Sequence, residues 1–348
     1  MRVYTVLPQD NLSHAATAAA KAEADGYDGL ASMENQHAPF LPHAAAITTT
    51  SKIKLMTGIA IAFARSPMVV AGECFDLQAS SGGRFILGIG SQVRAHNVRR
   101  FSVPWSPPVP RMREYIESLR AIWSCFENDT ELRYEGEHYQ FTLMTPNFKP
   151  PASKQSMVPI TIAAVGPAML RLAGQVCDGV RLHPFCTRKY IDNVVMKEIG
   201  TGMARSGRKR EHFEIVGGGY IVTGADEETV AKNLEWVRYR VAFYGSTPSY
   251  FPVWEIHGLE DLGKKLHQMS REKLWDKMPN EIDDDVVRLF AAVGTYEHIA
   301  KQVKIRFGGA SDAISSGIRE TDDPGIPSDL IKDLQKIESP FSKYKTAW

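Results

Sequence analysis

Residues 81–101 read SGGRFILGIGSQVRAHNVRRF, and this stretch decides the fold. Gly82 and Gly83 make a turn, residues 84–89 a short strand, and Gly90, Ser91 and Gln92 open a polar loop. Phe85, Ile86, Leu87 and Ile89 follow one another without polar alternation, which suits a strand buried on both faces of a parallel sheet. Glycine at its end lets backbone approach a ligand closely. The starting expectation is therefore a buried strand whose C-terminal end is a site.

Working outward, the same strand-then-helix rhythm repeats. Upstream, residues 2–7 alternate like a strand, and Ser13 introduces an alanine-rich helix that stops at Gly26, a suitable residue just past a helix end. Residues 27–33 (YDGLASM) make a second strand, with a helix from Pro42. Residues 52–62 (KIKLMTGIAIA) make a third, followed by Ser66-Pro67 as N-cap and first helical residue. Downstream, Pro104, Pro107, Pro108 and Pro110 delay the next helix to about Arg111. Its Tyr115, Leu119, Ile122 and Phe126 recur at helical spacing and mark a core face. Residues 128–158 interrupt the rhythm with a hairpin over 132–141 and a proline-rich return; lacking apolar residues for a core, they are expected to lie over one end of the fold, where substrate contacts are common.

The pattern resumes with strands at 159–164 (PITIAA), 176–182, 213–222 (FEIVGGGYIV) and 310–318, and with helices at 168–174, 187–206, from Asp226, at 295–307 and at 326–337. Residues 245–284 are irregular and aromatic. Eight strands in βα order predict an α/β fold, a single (β/α)8 TIM barrel over residues 1–348, with insertions after strand 4 (128–158) and after helix 7 (245–284). In such a barrel the residues to weigh stand just after the strands.

Composition narrows the classes. Lys plus Arg (41) nearly cancels Asp plus Glu (40) in 348 residues, which is not the basic excess of a nucleic-acid binder. The cluster Arg94, Arg99 and Arg100 reads as a solvated loop. No apolar run approaches the ~20 residues of a membrane span, and the chain enters a strand at once instead of a signal peptide, so a cytoplasmic protein without membrane or nucleic-acid partners is expected. Cys74, Cys125, Cys177 and Cys186 lack CxxC spacing and read as reduced core thiols, with no metal site expected.

Several strand ends could carry chemistry. Residues Ala164, Val165, Gly166 and Pro167 join a strand to a helix and leave free backbone N–H groups at a positive dipole end, a site for a phosphate or simply a tight turn. Gly88 and Gly90 begin a dinucleotide fingerprint, but Val93 stands at its third glycine, which argues against a Rossmann site. His37 follows Glu34 at i+3: a proton donor and its orienter, or two solvated side chains. His183, beside Pro184 at the sixth strand's end, is weighed for the same site. No GxSxG elbow occurs, and two carboxylates for glycoside hydrolysis are hard to assemble.

Together, GYDGLASMENQHAPFLP (26–42), KLMTGIAIAFARSP (54–67), DLQASSGGRFILGIGSQ (76–92), RMREYIESLRAIW (111–123) and PITIAAVGPAMLRLAGQVCDGVRLHPF (159–185) resemble the luciferase-like monooxygenase superfamily, in particular its coenzyme F420-dependent oxidoreductase branch. The likeness spans most of residues 1–220. It implies a barrel holding F420, or alternatively FMN, at its C-terminal face, with the ring against the third strand and the phosphate toward the fifth and sixth. Carried over, Ala164, Val165, Gly166 and Pro167 contact the phosphate and Gly90, Ser91 and Gln92 the cofactor's chain. Gly58-Ile59 aligns with the family's non-proline cis peptide, and His37 with a loop histidine reaching ring and substrate. Two features depart from the pattern: Asn35 and Gln36 separate Glu34 from His37, and Ser91 and Gln92 stand where some F420 enzymes carry a proton-donating Glu.

The function expected is hydride exchange between F420 and an apolar organic small molecule, with His37 as first choice of proton donor and Glu34 as the other catalytic candidate. The rivals are an FMN-dependent monooxygenase using reduced flavin and oxygen, a non-catalytic flavin-binding protein, and a barrel hydrolase or lyase with Glu34 as base. A homodimer is expected from the resemblance alone.

Overall fold

The computed structural model describes residues 1–316 and 325–346. Apolar runs of four to six residues form eight parallel strands: β1 (Arg2–Val6), β2 (Gly29–Ser32), β3 (Lys54–Thr57), β4 (Phe85–Gly90), β5 (Ile160–Ala164), β6 (Gly179–Leu182), β7 (Glu214–Gly217) and the shorter β8 (Ala313–Ser315). Each pairs with the next, and β8 returns to β1 through Val3 opposite Ile314, closing a barrel. The (β/α)8 architecture expected from the strand count is thus the architecture found. Its outer layer includes α1 (Leu12–Asp25), α2 (Leu41–Ile47), α3 (Pro67–Ser80), α4 (Pro108–Asn128), α5 (Pro167–Val176), α6 (Met196–Ser206), α7 (Glu227–Gly245), α8 (Ile299–Phe307) and α9 (Ser328–Gln335). Among the described residues no helix is long and apolar enough to cross a membrane.

Local chemistry accounts for the helix ends. Asn11, two residues before the expected start, caps α1 by accepting from the Ser13 N–H, and Gly26 ends the helix at φ 96°. Ser66 caps α3 ahead of Pro67, and Asp226 caps α7 through the Thr229 N–H. Arg84, the charged residue at the foot of β4, is buried because its guanidinium donates to the carbonyls of Ser81, Ile53 and Thr50. At the N-terminal end of the barrel, fully buried Glu214 accepts from Arg2 and from the phenols of Tyr4 and Tyr344, and so satisfies a charge that would otherwise be costly there.

Four features differ from expectation. The third strand is broken: β3 ends at Thr57 and resumes as Ala60–Ile61, which pairs with Ile89 and Gly90 of β4. The seventh is also broken, because Gly217 and Gly218 take φ 78° and 97°; the chain leaves the barrel as Tyr220–Val222 and pairs with a strand not foreseen, Ala291–Val293. The loop after β4 holds a short helix, Arg94–Arg99. Finally, residues 128–158 connect α4 to β5 and so depart from the N-terminal end of the barrel, not the functional end. Glu127 accepts the Ser153 and Lys154 N–H groups, Gln78 donates to Ser156, and Glu114 accepts the N–H groups of Glu137, His138 and Tyr139 at the hairpin tip. The segment covers the flank of α3 and α4, and the part of it that reaches the N-terminus of α4 is the tip, where Arg111 donates 3.0 Å to the Tyr139 phenol. Residues 317 and 318 of the expected last strand lie outside the described residues.

Candidate active site

The break in β3 shapes the C-terminal face. Its peptide bond Gly58–Ile59 is cis, where the resemblance placed one. The Gly58 N–H donates 2.6 Å to Ser32 O, and the Thr57 hydroxyl bridges to β4, donating to Gly88 O and accepting from Gly88 N–H. Glu34 is built into this kink. Its N–H donates to Ile59 O, while its carboxylate accepts from the Ile61 N–H at 2.6 Å and from Arg65 Nη1 at 2.8 Å. With a side chain 8% exposed and both oxygens engaged, Glu34 braces the second loop against the third strand.

That loop is tied on every side. Gln9 accepts from the Met33 N–H and donates to Ala38 O, and Arg100 reaches across from the β4 loop to donate to Asn35 O. Arg94, Arg99 and Arg100 are all exposed, as a solvated cluster would be, and Arg100 in addition finds this acceptor. His37 projects, exposed, from this fixed loop. At the end of β4, Gly90 is buried, and Gln92 takes φ 57° with its own amide oxygen accepting the Val93 N–H. Asn97 holds the turn by donating 2.8 Å to Ser91 O, which leaves the Ser91 and Gln92 side chains at the edge of the face.

Beyond β5 the chain enters α5 through Gly166, which has no side chain to cap the helix, so the first N–H groups of α5 stay open. A Cβ on Gly166 would meet nothing within 4 Å, and Ala168 is exposed. Val165 is fixed from behind, its carbonyl accepting from the Tyr190 phenol at 3.0 Å. This is an uncapped helix N-terminus with room beside it, the geometry that receives a phosphate. His183, at the end of β6, accepts the Phe185 N–H on Nδ1, so Nε2 carries its proton. Its ring packs against Tyr244 (4.3 Å between centroids) and Tyr250 (4.8 Å), and burial together with the Arg240 charge pushes it down to about 3. It is therefore a neutral donor beside two aromatic rings.

Sequence reasoning located the strand ends but not the residues that fix them. Arg65, Arg100 and Gln9 are remote in sequence from the loop they hold, and nothing local marks them. Arg181 is different: a single charge within the buried run GVRL could have been singled out. It turns into the barrel interior, where its Nε donates 3.0 Å to the Thr161 hydroxyl. His43 was also passed over. It is fully buried between α2 and β4, with Nε2 2.8 Å from the Ser32 hydroxyl, and burial pushes it down to about 3.

A stability consequence follows from His43. Folded His43 stays neutral to about pH 3, whereas unfolded histidine binds a proton near pH 6.5. Below pH 6.5 the unfolded state binds more protons, so stability falls as pH falls, by about 1.4 kcal/mol per pH unit, or roughly 2 kcal/mol at pH 5. Urea denaturation at pH 7 and pH 5 should show a smaller difference in His43→Gln than in the native sequence; equal differences would remove His43 as the cause.

A family model described as luciferase-like monooxygenase matches residues 2–310. An uncharacterized protein of Mycobacterium tuberculosis H37Rv is 43% identical over 305 residues, 88% of this chain and 90% of that one. The 5,10-methylenetetrahydromethanopterin reductase of Archaeoglobus fulgidus is 27% identical over 259 residues, 73% of each chain. Among solved structures, the coenzyme F420-dependent tetrahydromethanopterin reductase of Methanopyrus kandleri superposes with a TM-score of 0.74 over 97% of both chains, at 21% identity.

Proposed function

The chain belongs to the luciferase-like monooxygenase family, and from that premise we propose that it is an oxidoreductase exchanging a hydride between coenzyme F420 and an apolar organic substrate. The observation that carries the reading is the conjunction, on one barrel face, of the open N-terminus of α5 with the interrupted third strand. The relatives support the choice of cofactor, since a reductase named for F420 shares the fold over nearly its whole length.

The residues fit such a group. The N–H groups that follow Gly166 and Pro167 would hold its phosphate, with Ala164 and Val165 forming the wall, and Ser91 and Gln92 would meet its chain. Small residues line this face, Gly58, Gly90 and Ala163, with the Ile59 side chain packed over Gly90. The cofactor supplies two-electron hydride chemistry. The chain's own part is to orient, to exclude water and to hold a proton. His37 holds it at the substrate side; His183 offers a neutral Nε2–H. Tyr244 and Tyr250 give the apolar wall expected of a site for an organic molecule.

The test is a binding titration of the purified protein with F420 and with FMN, read by absorbance. F420 is expected to bind at least tenfold more tightly; the reverse order makes the protein an FMN-dependent monooxygenase, and binding of neither removes the reading.

We also propose a homodimer. Between α3 and residues 143–150 lies a groove of about 700 Å³, lined by Met68, Phe75, Phe126, Leu143 and Phe148. Leu143 and Phe148 are 76% and 81% exposed, and Val69 nearby is 55% exposed, a cluster of apolar side chains that marks an association surface. Replacing both Leu143 and Phe148 by Asp should shift the species seen in light scattering from dimer to monomer; a native sequence that is monomeric at micromolar concentration would refute the proposal.

A further inference from the structure

The turn between β5 and α5 is held from behind by one buried side chain. The Tyr190 phenol donates 3.0 Å to Val165 O, the only hydrogen bond that carbonyl makes among the described residues. Tyr190 is itself fixed: the Thr187 hydroxyl accepts its N–H at 3.2 Å, and that hydroxyl lies 2.8 Å from Nε2 of His257, in the segment that follows α7. Directly after Tyr190 the helix widens into a π-turn, Ile191–Val195, before α6 begins. Turns of this kind carry an extra residue, are rare, and are frequent at functional sites. Here α6 lies backbone to backbone on α5: a Cβ on Gly202 would stand 2.1 Å from Arg171 O, and one on Gly174 2.2 Å from Ile199 O. That crossing fixes α6, and the extra residue ahead of it lets Tyr190 reach Val165 as well.

Val165 O and the Gly166 N–H are the two ends of one peptide group. Among the described residues only Gly58–Ile59 is cis, so this bond is trans, and its C=O and N–H point in opposite directions. A phenol that holds the carbonyl from behind therefore aims the N–H to the front. There the Gly166 N–H has no acceptor among the described residues, and a Cβ on Gly166 would meet nothing within 4 Å. Pro167 has no N–H, so Gly166 supplies the donor ahead of those of Ala168 and Met169. Hydrogen bonding at the carbonyl also polarises the group and strengthens its N–H as a donor.

We propose that Tyr190 is a positioning residue of the phosphate site: its hold on Val165 O sets the plane of the Val165–Gly166 peptide and so presents the Gly166 N–H to a cofactor phosphate. The proposal rests on the functional reading above. Tyr190, buried behind the turn, acts through the backbone alone. Removal of its hydroxyl should be felt by a ligand that carries the phosphate and not by the same ring without it.

The experiment uses the full chain with Tyr190→Phe, which keeps the buried ring and loses the hydroxyl. Dissociation constants are measured for F420 and for its phosphate-free deazariboflavin core, and thermal unfolding is followed without cofactor. Tyr190→Phe is expected to weaken F420 about tenfold, in the range of one hydrogen bond to a charged group, and the core by less than about twofold. Equal weakening of both ligands, or of neither, overturns the proposal. So does a Tyr190→Phe protein that fails to fold, since that result makes the hydroxyl structural. A second measurement needs no change at position 190. In native protein labelled with 15N-glycine, the Gly166 amide signal, assigned by its loss in Gly166→Ala, should move downfield with F420 and stay in place with the core. A Gly166 signal that F420 leaves unmoved overturns the proposal, as does native protein that binds F420 no more tightly than the core. Failure of the native protein to bind either ligand overturns the functional reading instead, and this inference falls with it.

Discussion

Gly88→Ala is expected to cost the fold more than about 4 kcal/mol, enough to leave little folded protein. The added Cβ would stand 2.0 Å from the Thr57 carbonyl oxygen, a backbone atom, and 2.7 Å from Arg181 Nε. The Thr57 oxygen cannot retreat. Thr57 is clamped to Gly88 by two hydrogen bonds of its own hydroxyl, and β3 is held on both sides by the ladder that pairs Met56 with Ile86 and with Ala31. Relief would require the two strands to separate by about 1 Å, breaking the barrel at the kink. Two neighbours calibrate the result. In Gly90→Ala the Cβ would meet Ile59 Cδ1 at 2.9 Å, the far end of a side chain that can turn, so a loss of about 1–2 kcal/mol is expected. In Gly166→Ala nothing lies within 4 Å and φ is −79°, so stability should stay within about 0.5 kcal/mol. Urea denaturation of the three proteins reads the order directly. A Gly88→Ala protein with the native midpoint would mean that the barrel tolerates a gap between its third and fourth strands.

The same pair of strands shows what sequence can and cannot reveal. β4 is legible because burial on both faces leaves an unbroken apolar run, and its position in a βα series places its end at the functional face. The interruption of β3 is not legible from KIKLMTGIAIA, because Gly58 alone does not distinguish a kink from a strand glycine; the resemblance supplied it. FEIVGGGYIV did carry its signal, three consecutive glycines in a strand, and reading through them merged β7 with the segment Tyr220–Val222. The partner of that segment, Ala291–Val293, is three residues directly after a helix and has no periodicity of its own. In the site, residue types at strand ends were readable, while their state was not. Glu34 and Arg65 are 31 residues apart, and their pairing decides whether Glu34 is an acid or a brace. His183 likewise owes its neutrality to burial and the Arg240 charge, and the rings packed on it, Tyr244 from the end of α7 and Tyr250 from the irregular segment that follows, carry no local mark of their destination.

The division of labour between Glu34 and His37 leads to the largest expected effect on turnover. The carboxylate of Glu34 is spent on Arg65 and the Ile61 N–H, so Glu34→Gln should loosen the second loop and the β3 kink together, lowering cofactor affinity along with rate. His37 is exposed on a loop whose fastenings, Gln9, Glu34 and Arg100, do not involve its ring. His37→Ala should therefore leave the Tm and the F420 dissociation constant within about twofold of native while lowering kcat with a hydride-accepting or hydride-donating substrate by about 10²–10⁴, the usual contribution of a positioned proton donor. Loss of kcat without loss of binding assigns a role in the step itself, because an interaction made equally in ground and transition states would have appeared in affinity. Added imidazole should restore part of the rate in His37→Ala and none in Glu34→Gln. If His37→Ala turns over at the native rate, the proton comes from elsewhere on the face, and His183 Nε2–H, the neutral donor beside the aromatic wall, becomes the group to replace next.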